Sequence, residues 1–198
     1  MARTQADDYT EKRVAIRQKA AQMFADEGFD RTSMAALASA CGISKALLYH
    51  YYNDKSELLY DVIAGHLSEL CLDVEQADDE TLSPNDRLLS LILSLLDAYS
   101  HADNEHRVQI NALKFLPADK QESLKDMERE LVHRFCNAIA ATNPKLGANK
   151  AILMPVTMSL FGMLNWHYMW FRQSGVLTRE QYAQMAMTII TDGTENLI

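Results

Sequence analysis

Lys45, Ala46, Tyr49 and His50 fall at spacings that place them on one side of a helix, with Leu47 at the border of that side and Leu48 and Tyr52 one turn apart on the other. A face made of a cation, small apolar groups, a phenol and an imidazole suits the major groove of DNA. There a lysine can read guanine, and apolar groups meet the thymine methyl. A second constellation, Arg107, Asn111 and Lys114, is spaced four and three apart and forms one polar stripe, which reads either as a solvated face or as a receiver for an anionic head group. A third is apolar: Phe115, Met154, Met158, Phe161, Met163, Trp166, Tyr168 and Trp170 supply the adaptable lining of a hydrophobic cavity, or else plain core and interface. Asn165 and His167 interrupt that run and require polar partners, from neighbouring helices or from a ligand.

The six histidines make no metal motif such as His-Glu-x-x-His, and neither a glycine-rich phosphate loop nor a serine nucleophile elbow is present. Catalysis is therefore not expected, and no cofactor is called for. Cys41, Cys71 and Cys136 are widely spaced in apolar helical settings and read as buried thiols rather than a disulfide framework or a zinc site.

The elements that must position the first face are short. Thr32 or Ser33 caps a helix whose apolar side is Met34, Leu37, Ala38 and Cys41; Gly42 turns the chain with positive φ; Ser44 caps the next helix. Two capped helices joined by a glycine turn form a helix-turn-helix, although any two short helices can meet at a glycine. A preceding helix over residues 9–27, stopped by Gly28, braces the pair, with residues 1–8 expected to be mobile and Arg3, Lys12 and Arg13 available to phosphates or to solvent. Asp54 and Glu57 have the spacing of a capping box, opening a connector helix over residues 55–76; Lys55 in its first turn is a candidate phosphate contact.

These residues resemble the N-terminal domain of TetR-family transcriptional regulators. The resemblance rests on Gly28-Phe29, Thr32-Ser33, Leu37-Ala38, Gly42-Ile43-Ser44, Leu48-Tyr49-His50-Tyr51-Tyr52 and Lys55, and covers about the first third of the chain. It implies DNA contacts from Thr32, Ser33, Ser44, Lys45, Ala46, Leu47, Tyr49, His50 and Lys55. Ala46-Leu47 stands where the family commonly has Gly-Thr, and Ala35 where many members carry a polar or basic group, which shifts the expected readout toward thymine methyls.

Net charge is −8, which looks wrong for a DNA binder until it is divided along the chain. Residues 1–66 hold 8 Lys/Arg against 9 Asp/Glu and residues 67–198 hold 11 against 18, so the acid belongs mainly to the second part. Because phosphate neutralisation supplies nearly all nonspecific affinity, such a chain is a poor coat for random DNA, which speaks against an architectural DNA protein.

After the acidic linker Asp78-Asp79-Glu80, helices are expected from Ser83-Pro84 onward, over residues 104–116, 119–142, 149–173 and 179–192. The one over residues 149–173 is apolar nearly all round, and the last carries Ala183, Met185, Ala186, Met187, Ile189 and Ile190. A helix apolar on every side buries one face internally and another in a partner, which predicts a two-fold dimer through a four-helix bundle. The longest apolar segment, residues 151–171, is interrupted by Thr157, Ser159, Asn165 and His167 and is not a membrane span, and Met1-Ala2-Arg3-Thr4 opens no signal peptide, so a cytoplasmic location is expected.

The resulting expectation is an all-α protein of about nine helices. Residues 1–54 form a three-helix helix-turn-helix domain, residues 55–76 a connector, and residues 77–198 a ligand-binding and dimerisation domain. Its partners are a double-stranded palindromic operator, a second copy of itself and a small hydrophobic effector, acyl or aromatic, with a coenzyme A thioester as one form. Candidate effector contacts are Arg107, Asn111, Lys114, Phe115, Met158, Asn165, Trp166 and Trp170. The reading is a repressor released by its ligand; the alternatives are a ligand-dependent activator and a helical lipid or small-molecule carrier without operator specificity.

Overall fold

The computed structural model describes residues 2–172 and 174–195, with side chains from Tyr9 onward. The described residues are helices and connecting turns: α1 (Ala2–Glu27), α2 (Met34–Ala40), α3 (Lys45–Tyr51), α4 (Lys55–Ala77), α5 (Pro84–His101), α6 (Asp103–Ala112) with a 3-10 turn (Leu113–Phe115), α7 (Ala118–Thr142), α8 (Pro144–Ala148), α9 (Lys150–Asn165), α10 (His167–Trp170) and α11 (Arg179–Thr194). The all-α expectation holds.

The chain divides into two compact units that do not follow chain order: Met1–Leu67 with Ala102–Lys125, and Ser68–His101 with Asp126–Ile198. The sequence reading assigned residues 102–125 to the second domain; in the structure α6 joins the helix-turn-helix unit. The reason is local packing. Val108 and Ala112 of α6 are buried, Phe115 stacks on Phe29 at 5.2 Å, and the Arg107 guanidinium donates to the Ala25 carbonyl (2.8 Å) and to Asp26 (3.3 Å) of α1.

In the first unit, Ile16, Ala20, Ala21 and Phe24 of α1 form a stripe at helical spacing that is buried with Leu37, Leu48, Leu59 and Ile63. Helix α1 begins at Ala2, earlier than residue 9, because nothing in residues 2–8 breaks a helix; the Arg3 side chain lies outside the described residues. His66 of α4 and His106 of α6 are both buried with ring centroids 5.8 Å apart, and burial together with His106 and Arg17 lowers the His66 pKa to about 3.

The second unit is a layered helical core. Leu88, Leu91, Ile92 and Leu95 of α5, Phe135 and Ile139 of α7, Leu160 and Leu164 of α9, and Ala183, Ala186 and Ile190 of α11 are buried together in this unit. Caps set its helix starts. Ser83 precedes Pro84 and accepts from Asp86 N (3.2 Å), and Thr178 with Gln181 forms the expected capping box at α11. Asn143 caps the short α8, accepting from Lys145 N and Leu146 N.

The helix expected over residues 149–173 is interrupted. It carries Pro155 internally and ends at Asn165; Trp166 separates it from α10, and Gln173 lies outside the described residues. No proline or glycine stands at the break, so periodicity could not reveal it. The break is fixed by tertiary bonds: the Tyr182 hydroxyl donates to the Met163 carbonyl (2.9 Å) and the Tyr99 hydroxyl to Asn165 (2.7 Å). His167 is buried against Phe171 and Tyr182, its ring stacked at 4.2 and 5.0 Å. The three cysteines are free but only half-buried, less enclosed than their apolar settings suggested.

Candidate nucleic-acid interface

Helix α2 ends in a double bond pattern: Gly42 N donates to Ser39 O and Ile43 N to Ala38 O, both 3.0 Å, with Gly42 at φ 65°. This closure satisfies two orphan carbonyls and needs a left-handed residue, which is why glycine stands there. Ser44 follows in extended conformation, and its hydroxyl accepts from Leu47 N (3.1 Å) to start α3. The hydroxyl of Ser33 does the same for α2, accepting from Ala36 N (3.1 Å).

On α3, Leu48 is fully buried and Tyr52, its C-cap, is 1% exposed. Lys45, Ala46, Leu47, Tyr49 and His50 are exposed. The Lys45 ammonium lies 5.7 Å from the Tyr49 ring centroid, so the cation and the phenol are presented together. Tyr51 stacks on Tyr9 of α1 at 4.7 Å, and His50 meets both rings edge-on at 5.8 and 6.3 Å. The outward face is thereby held from the side by α1.

Helix α3 is anchored from behind by a charged network. The Tyr52 hydroxyl donates to Asp61 Oδ2 (2.6 Å), and Arg13 donates to both carboxylate oxygens (3.1 and 2.7 Å). Burial and the Asp61 carboxylate push the Tyr52 phenol well above its ordinary value. Arg13, one of the cations open to phosphate in the sequence reading, is thus a clamp that joins α1 to α4.

Two residues named as DNA contacts also bond within the fold. Thr32 is 1% exposed, and its hydroxyl donates to the Gly28 carbonyl (2.9 Å). Lys55 is held within the fold: its ammonium donates to the carbonyls of Phe29 (2.7 Å), Thr32 (2.9 Å) and Asp30 (3.4 Å) and lies 4.2 Å from the Phe29 ring centroid. It satisfies carbonyls of the turn joining α1 to α2, partners that its place beside α3 in sequence did not reveal. Tyr9 and Asp61 went unassigned in the sequence, since nothing in the spacing of Tyr9 to Tyr51 or of Tyr52 to Asp61 marks a contact between separate helices.

Residues 16–62 match the model of the bacterial regulatory proteins of the tetR family, and residues 81–194 match a Tetracyclin repressor-like C-terminal domain. The chain belongs to the TetR family of transcriptional regulators. A TetR-family regulator from Bordetella parapertussis is 32% identical, with 94% of this chain and 97% of that one covered at a TM-score of 0.82. The repressor KstR2 of Mycobacterium tuberculosis is 22% identical over 95% of both chains. AibR, solved in complex with isovaleryl coenzyme A and operator DNA, is 23% identical, covers 90% of this chain and 97% of its own, and superposes with a TM-score of 0.78.

The effector candidates of this TetR-family chain fall into two sets. Arg107, Asn111 and Phe115 border a cavity of about 400 Å³ in the first unit, with Phe24, Phe29 and Arg31. Arg107 is engaged there with Asp26 and Ala25, Asn111 donates to the Arg107 carbonyl (2.8 Å), and the Lys114 ammonium lies 5.3 Å from the Phe115 ring centroid. Of the stripe, Arg107 turns onto α1, while Asn111 and Lys114 stay exposed. In the second unit Asn165 accepts from Tyr99, while Met158 (51%), Trp166 (54%) and Trp170 (47%) are exposed. Among the described residues there is no cluster of ligating side chains for a metal ion, and no helix is long and apolar enough to cross a membrane.

Proposed function

We propose that this TetR-family regulator is a dimeric repressor that leaves a palindromic operator when a small hydrophobic ligand binds. The observation that carries the reading is the outward face of α3: Ser44 starts the helix, Tyr52 and Tyr51 fix its roll, and Lys45, Ala46, Leu47, Tyr49 and His50 are presented to solvent. Lysine and the tyrosine hydroxyl supply hydrogen bonds, and Ala46 and Leu47 supply contacts to thymine methyls. Ser33 and Ser44 place helix N-termini and hydroxyls toward the backbone of the duplex.

Dimerisation is supported by a stripe that the chain leaves uncovered on its own. Met154 and Met158 on α9 and Met185 and Ile189 on α11 are exposed large apolar side chains at helical spacing, with Trp166, Met169 and Trp170 beside them in sequence. Two copies joined through α9 and α11 form a four-helix bundle, and this assigns Trp170 to the interface rather than to a ligand pocket. Two reading helices about 34 to 36 Å apart then meet successive major grooves.

The ligand is proposed to be a hydrophobic acyl or aromatic compound, with a coenzyme A thioester as the leading form. AibR, a structural neighbour, was solved with such a thioester and with operator DNA. A ligand-dependent activator would bind the same operator with the same α3 face. The test is a gel-shift titration of the chain's own upstream DNA against acyl thioesters, free acids and aromatic compounds. Release by one class supports the reading, tightening by one class supports the activator, and failure to select that DNA over a scrambled duplex contradicts both.

A further inference from the structure

Helix α3 has seven residues, too few to keep its shape without neighbours, since an isolated helix shorter than about 12–15 residues is marginal in water. Ser44 caps its start and Leu48 seats its middle, so the order of its far end depends on Tyr51 and Tyr52. One face of α1 meets both of them. Tyr9 and Arg13 stand four apart, one turn of helix. The Tyr9 ring stacks on Tyr51 at 4.7 Å with 25° between the planes, and the Arg13 guanidinium, bonded to Asp61, lies 5.9 Å from the Tyr52 ring centroid. His50 meets the Tyr9 and Tyr51 rings edge-on, at 89° and 80°, so the stacked pair is the wall against which the imidazole stands. Tyr9 itself is 40% exposed, and its ring therefore adds little to the core of the unit.

We infer that Tyr9 is a positioning residue for operator selection: its ring fixes Tyr51 and His50, and thereby the angle at which the end of α3 meets the bases. The inference rests on the α3 face being the reader. Contacts to base edges discriminate only when donors and acceptors are held at hydrogen-bonding distance and angle, whereas nonspecific affinity comes from phosphates and tolerates a loose helix. A loosened end of α3 therefore costs discrimination before it costs affinity for random DNA. The contact is one of ring faces rather than of the hydroxyl, so Tyr9→Phe keeps it and Tyr9→Ala removes it. An aromatic pair is worth about two- to tenfold in an equilibrium, which sets the size of the effect.

The experiment measures fluorescence anisotropy of the full chain on its own upstream duplex and on a scrambled one, together with amide hydrogen exchange in the absence of DNA. The amide probe is Tyr52 N, which donates to Leu48 O (3.0 Å) and closes α3. Tyr9→Phe is expected to match the wild type throughout. Tyr9→Ala is expected to reduce the ratio of the two affinities about two- to tenfold, to leave the scrambled affinity in place and to speed exchange at Tyr52. In a Tyr51→Ala background, Tyr9→Ala should add little, because the two rings act as one unit. Equal loss on both duplexes in Tyr9→Phe makes the hydroxyl a phosphate contact and overturns the inference, as does an unchanged ratio in Tyr9→Ala or full additivity with Tyr51→Ala. The exchange measurement needs no DNA, so the two readings fail separately. A wild type with no preference for the upstream duplex contradicts the operator reading, whereas unchanged Tyr52 exchange in Tyr9→Ala overturns the positioning role.

Discussion

Replacing Lys55 with Met separates a structural lysine from a phosphate contact. The ammonium donates two short bonds, to the carbonyls of Phe29 (2.7 Å) and Thr32 (2.9 Å), and a longer one to Asp30 (3.4 Å) that is counted as negligible. Hydrogen bonds to a charged group contribute about 1.5–3 kcal/mol each, and half-burial at this turn places these two near the lower end. The cation over the Phe29 ring adds about 0.5–1 kcal/mol. Methionine keeps the apolar stem packed but leaves those carbonyls to water, so Lys55→Met is expected to cost about 3.5–4 kcal/mol. Urea denaturation at fixed protein concentration measures the loss. The salt dependence of operator binding measures the competing role, because each neutralised phosphate contributes about 0.9 to the slope of log K against log salt. The expected outcome is a large fall in the denaturation midpoint with an unchanged slope. Unchanged stability with a slope smaller by about one refutes the reasoning and restores Lys55 to the DNA.

Tyr52→Phe removes the hydroxyl that donates to Asp61 at 2.6 Å and should cost about 2 kcal/mol in denaturation, with operator affinity falling as α3 loosens. The His66 pKa of about 3 implies that the folded state refuses a proton that the unfolded chain accepts near 6.5. Its contribution is therefore intact above that value and is lost as pH falls, by about 2 kcal/mol between pH 7 and pH 5; His66→Gln should show a correspondingly smaller loss over the same interval. Lys45→Ala and Tyr49→Ala should each weaken operator binding by about 1–3 kcal/mol in fluorescence anisotropy while leaving thermal unfolding in place, since both side chains are exposed. Met158→Glu, a charge placed in the uncovered stripe of α9, should convert the proposed dimer to a monomer in light scattering.

The parts of this fold that lie within a few residues of one another were readable from the chain. The Gly42 turn, the Ser44 cap, the inward Leu48 and Tyr52 and the Thr178–Gln181 capping box are all local devices whose chemistry is complete in a window of about one or two helical turns. The roles that depended on distant partners were not readable. Lys55 finds carbonyls 23 to 26 residues away, Arg13 finds Asp61 at a separation of 48, and Arg107 finds Ala25 at 82. In each case the sequence showed the cation but not its protein acceptor, which tertiary packing brings in from a distant segment. The break at Trp166 escaped for the same reason, because Tyr182 and Tyr99 hold it from other helices. Methionine and aromatic richness showed that part of α9 and α11 needs cover, but composition alone does not say whether a ligand or a second copy provides it.

The most direct test of the central claim is fluorescence anisotropy of the purified protein on its own upstream DNA against a scrambled duplex of equal length, with wild-type and a Lys45→Ala, Tyr49→Ala double variant. The account predicts preference for the upstream site by a factor of about 10³ or more, lost in the variant at unchanged stability. Equal affinity for both duplexes, or a preference that survives in the variant, contradicts the assignment of the α3 face as the reader.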